Sequence, residues 1–260
     1  THEDVGAPLV DIDGNAVHIT VLDDDSSHGD KVFGLVRHLS CPQPDAPCSV
    51  HVHRQLALPY NRAGQLASET STADANTGSR LTLARAIHSA VPAGPQRTVL
   101  NLSLGWAADP AVPPDLTDGF ATSLPVGDRA VLAALLDARC VGALPVAAAG
   151  NPLPTDPGAT GPLLPAGWTD LHLHPEDCAW VGRTTAIEGP LTIAVSGLAR
   201  PGILDPGGRP GSVAPLAAPA VGVAWPGPGD RVDTLPGTSA AAAIASVAIA
   251  AAWSRADIAD

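Results

Sequence analysis

Apolar runs of strand length alternate along the chain with stretches of helical spacing. VHITVL (17–22), SVHVHRQLAL (49–58), TVLNLSL (98–104), ALPVAAA (143–149) and LTIAVSGL (191–198) are short and nearly continuous in apolar residues, and they predict strands. KVFGLVRHL (31–39), LTLARAIHSAV (81–91), RAVLAALLDA (129–138) and the Ala-rich 239–253 predict helices. Strands buried on both faces lose the polar alternation of a half-exposed sheet, and parallel neighbours need a crossover helix between them. The pattern therefore predicts an α/β fold of three layers, a mostly parallel central sheet with helices on both faces. Residues 106–127 and 152–189 carry Pro, Gly and Asp with little periodicity and are expected to be surface loops. With no internal repeat and no long linker, residues 1–260 are expected to form a single domain.

Composition narrows the class of function. Fourteen Lys and Arg against 26 Asp and Glu leave a formal net charge of −12, which argues against nonspecific binding to nucleic acid or to an anionic membrane. The Ala-rich run at 240–252 begins at a Gly-Thr-Ser turn and contains Ser246, so it is expected to be a buried core helix and not a membrane span. The opening THEDVGAPLV lacks the pattern of a signal peptide, and a chain with no Met is expected to be a processed or excised piece. Cys41 and Cys48 bracket CPQPDAPC, a short loop that a disulfide would close; such a bond would favour a secreted or periplasmic location. Cys140 and Cys178 are equally consistent with reduced, buried thiols.

Ligand sites in open parallel sheets lie beyond the carboxyl ends of the strands. There the sequence sets Asp23 after VHITVL, Asn101 to Gly105 at the end of TVLNLSLG, Gly150-Asn151 after PVAAA, and Gly237-Thr238-Ser239 at the start of the last helix; His28-Gly29 opens the first helix. Asp, His, Asn and Ser in that order match the chain order of a subtilisin-type triad with its oxyanion asparagine. VLD, HGDKVFG, VLNLSLG, VAAAGN and LPGTSAAAA together resemble the subtilase family of serine proteases over residues 17 to 253.

That resemblance implies an endopeptidase without a cofactor. A serine hydroxyl is a weak nucleophile until an imidazole takes its proton, and a carboxylate on the other ring nitrogen holds the tautomer. By resemblance these are Ser239, His28 and Asp23, with Asn151 donating to the oxyanion. Ser103, Leu104 and Gly105 would pair with an extended polypeptide substrate, and Ala148, Ala149 and Gly150 would line the pocket for the residue before the cut. A propeptide or partner domain outside this chain is compatible with the resemblance.

The sequence also departs from the family pattern. Asp23 and His28 are only five positions apart, a shorter link than usual, although five extended residues reach up to ~16 Å. Asp24 and Asp25 compete with Asp23 for the acid role. Asp30 stands where the family has Thr, Ala243 where it has Pro, and Ala220 where it has Gly. These departures keep a second reading open, a catalytically silent module that binds extended peptide or a partner protein in the same groove. His51/His53 and His172/His174 have the i, i+2 spacing that puts two rings on one strand face, but no third metal ligand is evident, so no metal site is assigned, and no calcium cage is identifiable in the sequence.

Overall fold

The computed structural model describes residues 17–24, 27–41, 50–58, 75–91, 97–107, 124–152, 158–185, 187–212, 214–227 and 231–254, without the side chains of residues 23, 24, 27, 56, 58 and 75–79. In chain order the elements are β1 (Val17–Asp24), α1 (Ser27–Ser40), β2 (His51–Leu58), α2 (Ala75–Ala90), β3 (Arg97–Leu102), α3 (Val126–Cys140) and β4 (Leu144–Ala148). Then follow β5 (His172–Leu173), β6 (Gly189–Pro190), β7 (Ile193–Arg200), β8 (Ile203–Leu204), β9 (Leu216–Pro219), β10 (Ala224–Pro226), β11 (Val232–Thr234) and α4 (Thr238–Trp253).

The main sheet runs β2-β1-β3-β4-β7, all parallel, with β9 parallel and β8 antiparallel beside β7. From β1 the chain crosses to β2 on one side and returns to β3 on the other, so the strand order reverses between β1 and β3. The crevice beyond those two carboxyl ends is where ligands bind in sheets of this kind.

Alternation along each strand sorts the core into two clusters. Val17, Ile19, Val21, Val99 and Val146 pack with Val32, Leu35 and Val36 of α1 and Ala240–Ala243 of α4. Leu22, Leu100, Leu102 and Ala147 point the other way, onto Leu83 and Ile87 of α2 and Leu132, Leu135 and Leu136 of α3. Three layers result, as the hydrophobic pattern requires. The Ala-rich α4 is a buried core helix as expected, and no helix among the described residues is long and apolar enough to cross a membrane.

The reading of 152–189 as surface loop is wrong for much of the segment. Leu163, Leu164, Ala166, Leu173 and Cys178 are buried, Trp168 is fully so, and short 3₁₀ turns at Ala166–Asp170 and Asp177–Val181 carry the chain between them. Trp106, in the other supposed loop, is also buried. Irregular backbone erases the periodicity from which burial is inferred, so these apolar residues left no pattern to detect.

The cysteines at 140 and 178 are not free thiols. They form a disulfide across 38 residues, tying the end of α3 to the second 3₁₀ turn. On the chain-entropy account, closing a loop of that length contributes about 4 kcal/mol. Cys41 is disulfide-bonded as well, and its expected partner Cys48 lies outside the described residues.

Two departures from the family pattern have local compensations. Ala220 is fully buried, and a Cβ on Gly197 would lie 2.6 Å from its methyl group, so the carbon added at 220 is accommodated by the one missing at 197. Asp30 turns outward from α1 to pair with Arg54 of β2 at 2.8 Å.

Candidate active site

Ser239 is the second residue of α4, behind Gly237 as N-cap. It is nearly buried, and its Oγ lies 3.1 Å from Nε2 of His28, the second residue of α1. When the ring carries its proton on Nδ1, the serine hydroxyl donates to Nε2, the geometry a general base needs. The alternative acceptor for that hydroxyl is the carbonyl of Ser103, at 3.4 Å. First-turn N–H groups of a helix have no intrahelical partner, and the helix dipole adds positive potential there. The N–H of Ser239, in the first turn of α4, therefore carries the polarity an anion requires.

Asn151 follows the end of β4 and reaches the same helix start. Its Oδ1 accepts from the backbone N–H of Thr238 at 3.2 Å, with the Thr238 hydroxyl at 3.4 Å. That hydroxyl in turn accepts from the N–H of Gly150 at 3.1 Å. With Oδ1 held on Thr238, Nδ2 makes no hydrogen bond among the described residues. Gly150 has φ +109° and Gly237 φ +81°, backbone that side chains with a Cβ rarely adopt. A Cβ on Gly237 would also come within 2.7 Å of the Asn151 amide.

A buried polar network ties β3 to α4 beneath the serine. Asn101 Nδ2 donates to Ser246 Oγ at 3.1 Å, and Ser103 Oγ is 3.0 Å from both Asn101 Oδ1 and the carbonyl of Ser239. No local motif in the sequence pairs Asn101 with Ser246. Their signal was available, since a buried polar residue in an apolar strand demands a partner.

Of the proposed site residues, the structure brings together His28, Ser239, Asn151, Ser103 and the Gly150 turn. Asp23 sits one position from the end of β1, opposite Leu56, with the strand register shifting between Asp23 and Asp24. The side chains of Asp23 and Asp24, and Asp25 altogether, lie outside the described residues.

Leu104 is half-buried and Gly105 exposed, and among the described residues neither makes a backbone–backbone hydrogen bond. Ala148 and Ala149 are buried; Ala149 accepts from the N–H of Leu163, and Gly150 from the N–H of Arg209. Directly after Gly105, Trp106 forms a reciprocal pair of backbone bonds with Leu164, at 2.8 and 2.9 Å. Arg80 of α2 lies over the Trp106 ring and pairs with the buried Asp128 of α3 at 2.9 Å. Burial raises the Asp128 carboxyl above its ordinary range, against the opposing pull of Arg80. Leu163, Trp106, Arg80 and Asp128 all went unnoticed in the sequence because no local motif contains them.

His51 and His53 do share a strand face, and His18 of β1 joins them. His18 Nδ1 and His53 Nε2 are 2.9 Å apart, and the His18 ring stacks on both neighbours. A bond between two ring nitrogens needs one donor and one acceptor, so one of those two rings is neutral. Among the described residues no group of three or more His, Cys, Asp or Glu is arranged to hold a metal ion.

A serine and an imidazole from two helix starts thus meet within hydrogen-bond distance in an α/β fold of three layers. The profile of the Subtilase family matches residues 13–259, nearly the whole chain. The chain belongs to the subtilase family of serine proteases, hydrolases of peptide bonds. Among solved structures, the prenylagaramide maturation protease PagA is similar at 20% identity and TM-score 0.54, over 91% of this chain and 74% of that one. A subtilase cytotoxin SubAB assembly is similar at 18% identity and TM-score 0.54, over 95% and 78%. A cold-adapted subtilisin-like serine proteinase matches at 17% identity and TM-score 0.50, over 95% and 81%. At such identities the likeness speaks for the fold. No curated relative matches the sequence.

Proposed function

We propose that residues 1–260 act as one catalytic domain, an endopeptidase that cuts polypeptide through an acyl-enzyme. Ser239 attacks the scissile carbonyl as His28 Nε2 takes its proton, and the protonated ring then delivers that proton to the leaving amine. Water repeats the sequence in reverse to release the acyl group. The tetrahedral oxyanion accepts from Asn151 Nδ2 and the Ser239 N–H, donors of a kind worth ~3–4 kcal/mol each. Asp23, near the carboxyl end of β1 and five positions before His28, orients the imidazole. Leu104 and Gly105 supply a short open edge to which an extended peptide adds as a strand.

The observation that carries the proposal is the 3.1 Å approach of His28 Nε2 to Ser239 Oγ, between residues 211 positions apart in sequence. A fluorophosphonate probe is expected to label the chain once, at Ser239, and Ser239→Ala is expected to abolish labelling and peptide hydrolysis while leaving thermal unfolding nearly unchanged. An intact, folded chain that fails to label would overturn the catalytic reading in favour of a silent peptide-binding module.

A further inference from the structure

Gly105 and Gly150 belong to the two segments proposed to bind substrate, and one side chain stands between them. A Cβ on Gly150 would lie 2.6 Å from Cγ and 2.8 Å from Cδ1 of Leu163. A Cβ on Gly105 would lie 2.9 Å from Cβ and 3.3 Å from Cδ1 of the same leucine. Both glycines are thus in van der Waals contact with Leu163, which is only 5% exposed. The leucine is held there by the chain on either side: its N–H donates to the carbonyl of Ala149 at 2.9 Å, and Leu164 is locked to Trp106 by two backbone bonds. Trp106 itself is clamped by Arg80 and Asp128. The isobutyl group therefore stands between the ends of β3 and β4, with its backbone fixed by those bonds.

We propose that Leu163 sets the side-chain preference of this protease, restricting the residue on the acyl side of the scissile bond to glycine or alanine. The inference rests on the catalytic reading above, together with the expectation from the family resemblance that this residue enters between Ser103–Gly105 and Ala148–Gly150. An aromatic or long aliphatic side chain placed there meets Leu163, and a packed interior charges for overlap at every added carbon. Each methylene that a pocket admits or rejects changes the specificity constant by roughly 10- to 200-fold.

The test is a matched series of fluorogenic peptides that differ only in that residue, Gly, Ala, Leu or Phe, run on the wild-type chain and on Leu163→Ala. The wild type is expected to favour Ala over Phe by roughly 10²-fold in kcat/KM. In Leu163→Ala that ratio is expected to fall at least tenfold through a gain on Phe, with fluorophosphonate labelling of Ser239 unchanged. If Leu163→Ala fails to fold, Leu163→Val removes one methylene and is expected to move the ratio the same way by several-fold. A wild type that labels at Ser239 yet cuts after Phe as well as after Ala overturns this proposal alone, as does a labelled variant with an unmoved ratio. A folded wild type that does not label removes the catalytic reading and this inference with it.

Discussion

The two faces of the sheet are built from different residues for different tasks. On one face, α1 and α4 pack against valines and alanines, and both helices begin at the carboxyl edge with the residues that meet there, His28 and Ser239. On the other, α2 and α3 lay leucines over the sheet and carry neither half of that pair. Alanine at 240–243 lets α4 lie close to the strands and to α1, since side-chain size at a contact sets how near two elements come. The leucine face contributes bulk burial, the Cys140–Cys178 bond and the Arg80–Asp128 pair under Trp106. One face therefore sets the distance between His28 and Ser239, and the other supports Trp106 and, through it, the Leu163–Leu164 segment.

The comparison breaks most sharply at the acid. Asp23→Asn is expected to lower kcat by ~10⁴ through the wrong imidazole tautomer, with Asp24→Asn and Asp25→Asn costing far less. If Asp24→Asn is the crippling change in steady-state kinetics, the assignment of the acid moves by one residue. Next in size, Asn151→Ala is expected to reduce kcat by roughly 10²–10³ with KM almost unchanged, the mark of an interaction made only in the transition state. A lowered melting temperature with intact kcat per folded molecule would make Asn151 a structural turn residue.

Paired core substitutions separate the faces directly. Leu132→Ala is expected to destabilise by about 2–5 kcal/mol in urea unfolding while active-site-titrated kcat stays within a few-fold of wild type. Ala242→Leu on α4 is expected to cost less stability, about 1–3 kcal/mol, yet to lower kcat more, because overpacking pushes α4 away from α1 and lengthens the His28–Ser239 contact. Equal loss of kcat in both variants would erase the division of labour.

The smallest expected effect is electrostatic. Burial holds the Asp128 carboxyl above its ordinary range, so the native state binds that proton more tightly than the unfolded chain does. Its contribution is complete below the ordinary aspartate range and is lost as pH rises through the raised value. The melting temperature of wild type relative to Asp128→Asn is therefore expected to decline as pH increases across that window and then level off; a difference that grows with pH would contradict the sign.

Much of this protein was legible from local pattern. Among the described residues, the five long parallel strands and four α-helices announced themselves through runs and periods, because those elements bury one face or both in a regular register. The order Asp, His, Asn, Ser could be read because each residue sits at a strand end or helix start, positions that leave their own punctuation of Gly, Thr and Asp. Segment 158–185 was misread because apolar residues on irregular backbone have no period, so Trp168 and Leu163 looked no different from loop residues.

The sequence by itself determined the layers, the alternation that divides the strands into two faces, and the identity of the candidate nucleophile and base. Tertiary structure alone decided what happens between distant residues: that Cys140 finds Cys178, that His18 joins His51 and His53, that Ala220 fits because position 197 is glycine, and that Leu163 stands between Gly105 and Gly150. Local pattern records which way a side chain faces, since that depends on a few neighbouring dihedral angles. Which side chain it then meets depends on loop closures over tens of residues, and close packing leaves one leucine's width to determine what else fits between Gly105 and Gly150.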